Sequence, residues 1–378
     1  MIANQQENNW AQWAASSEFR RRMQQSVQRH RATAATTPEG YLERRRAELA
    51  RELEGKKLVY LDTKHWVNLC HVLVQRPKRE PVYDEILGLF EALRQKGQIC
   101  CPVSSTLFVE LMKQSDPATR QTTARIMDFL SGGACLQNWL ELAKAEFGRH
   151  ICRTLRIRTE EEVAFPTWTK VGYWAGEHSF EFPDEPAKDN AMLEKVYIDL
   201  RWEMTCEDYQ SMPDWTPTPD ALSVAWVSES ERAKSHQAKA KQSFPKLVRD
   251  RRGQLLAALK DTLLPMLALC QGAPGTPDEH LVAVLDPIYE GRDPQALPSL
   301  EVLAGLDAAL TLDTARKVQA NDMEDYLHAA QALPYCDALF CDNFMAQKLR
   351  SKSLDFGKAY QTEIGSRPEE IVVYLKSL

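Results

Sequence analysis

Two short apolar runs in this chain end on the same residue type. LVYLD closes on Asp62 and, near the other end of the sequence, ALFCD closes on Asp342. In parallel α/β sheets ligands collect beyond the carboxyl ends of the strands, so two such strands would bring two carboxylates to one edge. Glu110 falls one to two turns into a helix that follows a further candidate strand, on a face able to look back at that edge. Asp325 opens the helical stretch DYLHAAQAL, with Asp322 and Glu324 competing for its part, and Asp337 begins the last strand. Four or five carboxylates in one place repel and raise one another's pKa values. The usual compensation is a divalent cation, and Mg2+ and Mn2+ prefer oxygen ligands and keep several waters. With one or two such ions, a carboxylate cluster orients water for in-line attack on a phosphodiester and neutralises the charge that develops. No serine–histidine–acid arrangement is legible, and no GxxxxGK[ST] phosphate loop occurs.

The elements that must position these acids read as an α/β pattern at both ends of the chain. KLVYLD at 57–62 is a short apolar run bounded by Gly55 and the polar TKH, the pattern of a buried parallel strand. A helical face follows over 63–75 and a second helix over about 81–96, ending at a Lys-Gly stop. Ile99–Val103 reads as a strand, and Ser104, Ser105 and Thr106 are good N-cap residues for the helix that carries Glu110. The first 130 residues thus give strand, helix, helix, strand, helix. From about 131 to 309 the character changes to helical segments, at 136–158, 187–207, 220–243 and 246–270, broken by PDEP, MPDWTPTP and GAPGTP. This region is expected to be a helical insertion. Near the C-terminus a helix, a turn at Pro334, the strand Ala338–Cys341 and a helix return, and SRPEEIVVYLKSL reads as the final helix.

Composition narrows the class. The 378 residues are enough for one large or two ordinary domains, and 44% hydrophobic residues allow a substantial core. A net charge of −6 argues against a uniformly basic nucleic-acid coat but leaves room for a local basic groove. Nine scattered cysteines, none in a CxxC pair, read as reduced thiols of a cytoplasmic protein. No secretory signal is legible at the N-terminus, and no apolar run approaches 18 residues, so no membrane partner is expected. Residues 1–55 read as a helical arm, basic through Arg20–Arg22, Arg29, Arg31 and Arg44–Arg46. It is either a solvated arm packed on the domain or on a partner protein or inhibitor, or a contact for nucleic-acid phosphates.

The order LVYLD, CPVSSTLFVEL, DYLHAAQAL, LFCDNFMAQKL resembles a PIN-like nuclease domain. Such domains run from a strand ending in Asp, through a helix with a Glu, to a helix opened by Asp and a last strand ending in Asp. The resemblance covers roughly 57–130 and 315–378, and it implies a three-layer fold around a mostly parallel sheet. The nuclease unit would be residues 56–130 and 310–378, with the insertion 131–309 between them. It also implies a metal-dependent endonuclease that takes Mg2+ or Mn2+ and most often cuts RNA, with some members cutting structured DNA, and many members act in toxin–antitoxin or phage-defence roles. Carried over residue by residue, it makes Asp62, Glu110, Asp325 and Asp342 the catalytic metal ligands. It favours Asp325 over Asp322 because HAA matches the family's small-residue helix, and Asp337 would join or replace a ligand. The gap between the second and third acids is far longer than in the small toxin-type members. A catalytically weak binding or scaffold module of the same fold is the alternative from another class.

Neighbouring residues carry weaker expectations. Thr63 and Ser105 would support the acids, or simply cap helices. Asn343 would hydrogen-bond a water beyond the ion's own ligands. His65 and His328 fall near the site, where a histidine shuttles protons or touches phosphate, although a packed or exposed histidine is the commoner case. Within 229–252 eight Lys and Arg face three acids, so Lys239, Lys241, Lys246, Arg249, Arg251 and Arg252 line either a substrate groove or a solvated helix. The tryptophans of the insertion are core residues more often than base-stacking platforms.

Overall fold

A computed structural model describes residues 17–32, 36–157, 165–176, 187–210 and 221–378. Two helices lead, α1 (Ser17–Ala32) and α2 (Pro38–Leu53), the second opened by Thr37, whose side chain accepts from the Gly40 N–H, with Pro38 in the first turn. Strand β1 (Lys57–Leu61) follows, with Val59, Tyr60 and Leu61 fully buried. Then come α3 (Thr63–Leu73), α4 (Val82–Gln95), β2 (Ile99–Cys100), α5 (Ser105–Met112), α6 (Pro117–Ser131) and β3 (Ala134–Leu136). After α7 (Trp139–Leu155) and β4 (Trp168–Lys170) the chain is helical through α8 (Ala187–Trp202), α9 (Cys206–Gln210), α10 (Ala221–Ala240), α11 (Phe244–Ala258), α12 (Lys260–Leu263), α13 (Pro277–Tyr289) and α14 (Pro298–Leu312). It ends with α15 (Ala320–Ala332), β5 (Ala338–Phe340), α16 (Asn343–Leu349), α17 (Phe356–Tyr360), β6 (Glu363–Gly365) and α18 (Pro368–Lys376).

The main sheet has the order β2-β1-β5-β6, all parallel. β1 is central, with Val59, Tyr60 and Leu61 opposite Ala338, Leu339 and Phe340. Helices cover both faces, which is why its run is apolar throughout rather than alternating. Val59, Leu61 and Phe340 share one core with residues of α3, α4, α5, α6 and α18. Tyr60 and Leu339 face the other way, into a core with Leu306 and Leu310 of α14 and Ala329 and Ala330 of α15. This is a helix–sheet–helix sandwich, and it makes the chain α/β.

The region 131–309, expected as an insertion, contains elements that pack against the sheet. β3 joins the sheet edge through a parallel bridge between Cys135 and Val103 and pairs antiparallel with β4. α14 covers one sheet face. Strands β3 and β4 form a second, two-stranded sheet beside the main one, and α14 covers the main sheet, all within the region read as an insertion. The separate helix α6 and the strands β3, β4 and β6 were not anticipated, since each of these strands is only three residues long.

The N-terminal arm packs on the protein itself. Asp199 of α8, 3% exposed, accepts from Ser26 Oγ at 2.7 Å, Arg29 Nη1 at 2.9 Å, His30 Nε2 at 3.0 Å and Tyr41 OH at 2.5 Å. One buried carboxylate thereby ties α1 and α2 to α8. All nine cysteines are buried. Among the described residues no single helix is long and apolar enough to cross a membrane, and the one pair that reaches that length together, 244–258 with 260–270, is bent by 60°.

Candidate metal centre

Asp62 leaves β1 at its carboxyl end, and its N–H donates to the Phe340 carbonyl at 2.9 Å, which fixes it beside the end of β5. It stands at the N-cap position of α3, yet its side chain makes no capping hydrogen bond; only its backbone carbonyl enters the first turn, accepting from His65 and Trp66. A residue serving only as a cap would turn its carboxylate onto the helix N–H groups. Asp342 behaves differently, for its Oδ1 caps α16 by accepting from Met345 N at 2.9 Å.

Glu110 reaches the same edge from α5, a helix capped by Ser104 rather than Ser105. Thr63 Oγ1 donates to Glu110 Oε2, so the expected supporting role of Thr63 has a bond behind it. Opposite lies His328 on α15, one turn after Asp325 and on the same helical face. His328 is 3% exposed. Its Nε2 stands 3.1 Å from Glu110 Oε2 without a hydrogen bond in line with the ring N–H. Its Nδ1 is 2.6 Å from the Tyr60 hydroxyl, which is itself 2.6 Å from Ser104 Oγ. Burial holds the Tyr60 phenol protonated, well above its ordinary pKa. Ligand atoms of Asp62, Glu110 and His328 all lie within 4.8 Å of one another, so these three residues could hold a metal ion.

Charge interactions reach the remaining acids. Burial, with Asp342 and Asp62 beside it, pushes the Asp325 carboxyl up to about 7. Burial also raises Asp62, with Glu110 and Asp342 adding to it, although the His328 charge opposes. Burial alone would raise Glu110, but the His328 charge and the His328 and Thr63 contacts outweigh it and hold the group low. His328 is driven down by burial and, on balance, up by Glu110, Asp62 and Asp325. The four expected acids therefore share one electrostatic neighbourhood in which negative charge exceeds positive, the condition a cation relieves.

Other expected residues lie elsewhere. Asp337 takes Lys57 Nζ at 2.6 Å and Leu58 N at 2.9 Å, at the amino end of the sheet. A strand advances about 3.3 Å per residue, so one strand length separates Asp337 from the edge reached by Asp342, and it does not join the cluster. Asp322 is paired with Arg316 and accepts from Gln319 N at 2.8 Å, so of the two candidates Asp325 is the one whose charge is coupled to Asp62 and Asp342. His65 is fully buried with Nδ1 2.7 Å from the Tyr83 hydroxyl, closed to a nucleic acid, and burial lowers its pKa to about 4. Ser105 Oγ accepts only a 3.4 Å bond from Gln331, and Asn343 is exposed with Oδ1 3.5 Å from Ser366 Oγ.

The basic stretch divides. Lys239, Lys241 and Lys246 are exposed. Arg249 pairs with Glu290, Arg251 with Asp307 at 2.5 Å, and buried Arg252 with Glu301 at 2.8 Å, so the arginines brace helices, while Arg249 and Arg252 also line an open pocket together with Lys246. Among the tryptophans, Trp202 is buried in a core, Trp174 packs on Phe108 at 4.7 Å and Trp226 on Tyr326 at 5.9 Å, while Trp215 lies outside the described residues.

Sequence reasoning placed His328 near the site but did not count it among the possible metal ligands, and it did not foresee the Tyr60–Ser104 pair behind it. The spacing Asp-x-x-His in DYLH was the available signal. No family model matches the chain, and neither a curated protein nor a solved structure matches it.

Proposed function

We propose that the protein is a metal-dependent nuclease of PIN-like type that hydrolyses phosphodiester bonds, with RNA as the favoured substrate. The observation that carries this reading is the meeting of Asp62, Glu110 and His328 within 4.8 Å at the carboxyl edge of a parallel sheet, with the charges of Asp325 and Asp342 felt there. Asp62, Glu110 and His328 would hold the ion, with Asp325 and Asp342 beside them. A bound divalent ion supplies an acidified water and charge neutralisation at the scissile phosphate. Thr63 fixes the Glu110 carboxylate, and the Tyr60 hydroxyl fixes the His328 ring. Because these acids repel a polyanion, substrate affinity must come from cations outside the cluster. Lys64, exposed beside Thr63, and Lys239, at the end of the helix α10 that packs on α15, are the candidates, with Lys241 and Lys246 following.

The test is cleavage of labelled RNA and single-stranded DNA in Mn2+ or Mg2+, wild type against Asp62→Asn. Removal of one electrostatic contact at a reacting centre costs about 100- to 1000-fold, and a loss of that size is expected. Cleavage that survives both the substitution and chelation would overturn the reading. Cleavage of DNA alone would redirect it to a DNA nuclease, and cleavage of neither to a binding module.

A further inference from the structure

The cluster is not a site of oxygen donors alone. His328 brings a nitrogen to it, and the surroundings of that nitrogen are built. Its ring is buried on α15, and its Nδ1 is engaged by a hydroxyl that is itself locked on Ser104 Oγ, the cap of the helix that carries Glu110. Tyr60 is fully buried between the two. When Nδ1–H donates to the Tyr60 oxygen, and Tyr60 donates onward to Ser104, the lone pair of a neutral ring is placed on Nε2. That atom has no in-line hydrogen bond and faces the carboxylates. Its 3.1 Å separation from Glu110 Oε2 matches the spacing of adjacent ligands around an octahedral ion, about 3 Å for bonds of about 2.1 Å.

From this donor set we infer that the centre selects a first-row transition dication over magnesium, and that His328 is the residue that sets the selection. This rests on reading the cluster as a metal centre. Carboxylates and water suit Mg2+ and Mn2+ alike, whereas imidazole favours the transition ions, and Mg2+ gives up its waters reluctantly. An acid-only cluster would discriminate weakly. One imidazole among carboxylates shifts the balance, and the Tyr60–Ser104 pair strengthens it by holding the ring in the ligating tautomer.

Titration calorimetry of the full chain with MnCl2 and with MgCl2 tests this. Mn2+ is expected to bind at least about tenfold more tightly than Mg2+, and that ratio is expected to collapse in His328→Asp, which replaces the nitrogen with oxygen. Tyr60→Phe should weaken Mn2+ binding by about 10- to 100-fold and Mg2+ binding by less. Electron spin-echo modulation of Mn2+ bound to the wild type reads nitrogen ligation without any variant, and a directly coordinated 14N signal is expected. Equal affinities for the two ions, an unchanged ratio in His328→Asp, or absence of the 14N signal would each overturn the inference. Selective Mn2+ binding without cleavage of RNA or DNA would leave it standing and remove the nuclease reading alone. Failure of both ions to bind would remove both.

Discussion

The Tyr60 hydroxyl lies 2.6 Å from Nδ1 of His328, and 268 positions of sequence separate the two residues. Tyr60 sits on the central strand and His328 on the helix laid across it. The contact is buried on both sides, so its removal leaves a ring nitrogen without a partner. Tyr60→Phe is therefore expected to cost about 1–3 kcal/mol of stability, measured by urea unfolding in the absence of divalent ions. A loss below a few tenths would show that the bond is incidental.

His65 titrates with a stability cost of known sign. Its pKa in the folded protein is about 4, held down by burial, against an ordinary 6.5. Between those values the unfolded chain takes up a proton that the folded chain refuses. The stabilisation is complete above about pH 6.5 and is lost as pH falls toward 4, by on the order of 3 kcal/mol. Unfolding free energies across pH 4–7 should show that slope, and His65→Gln should flatten it.

Asp337 provides the contrast to the four clustered acids. It holds Lys57 and the Leu58 N–H at the far end of the strands. Asp337→Asn should leave any metal binding and any cleavage within about twofold while costing on the order of 1 kcal/mol in stability. A large loss of metal affinity in this variant would place it in the centre after all.

Asp199 gathers donors from α1 and α2 onto α8. Asp199→Asn removes the charge that Arg29 faces and part of the acceptor capacity that Ser26, His30 and Tyr41 use. A cost of about 3–5 kcal/mol is expected, concentrated in the arm. Hydrogen exchange should reveal it as faster exchange in 17–32, with the amides of β1 and β5 still protected.

The sequence carried the sandwich and most of its centre because both rest on local signals. An apolar run in a buried parallel strand has no alternation to hide it, and the acids at 62 and 342 follow directly from where those runs stop. β4 and β6 gave no such run, being three residues each. Asp337 was drawn toward the centre by its nearness in sequence to Asp342, although a strand carries its two ends to opposite edges of the sheet. Arg251 and Arg252 read as groove cations because Asp307 and Glu301, which neutralise them, lie about fifty positions further on. His328 was legible as a histidine near the site, able to shuttle protons or touch phosphate, but a place among the ligands depends on a tyrosine and a serine far away in sequence.

β1 closes its central pairing only against β5, a partner that begins at residue 338 of 378. Asp62 and Glu110 are synthesised early, but the acids and the histidine that complete their surroundings emerge from a ribosome last. A product that stops short of α15 carries Asp62 and Glu110 without His328, and leaves β1 without its partner β5. The possible ligand set is thus assembled only by contacts that are distant in sequence, and a fragment lacking α15 cannot form it.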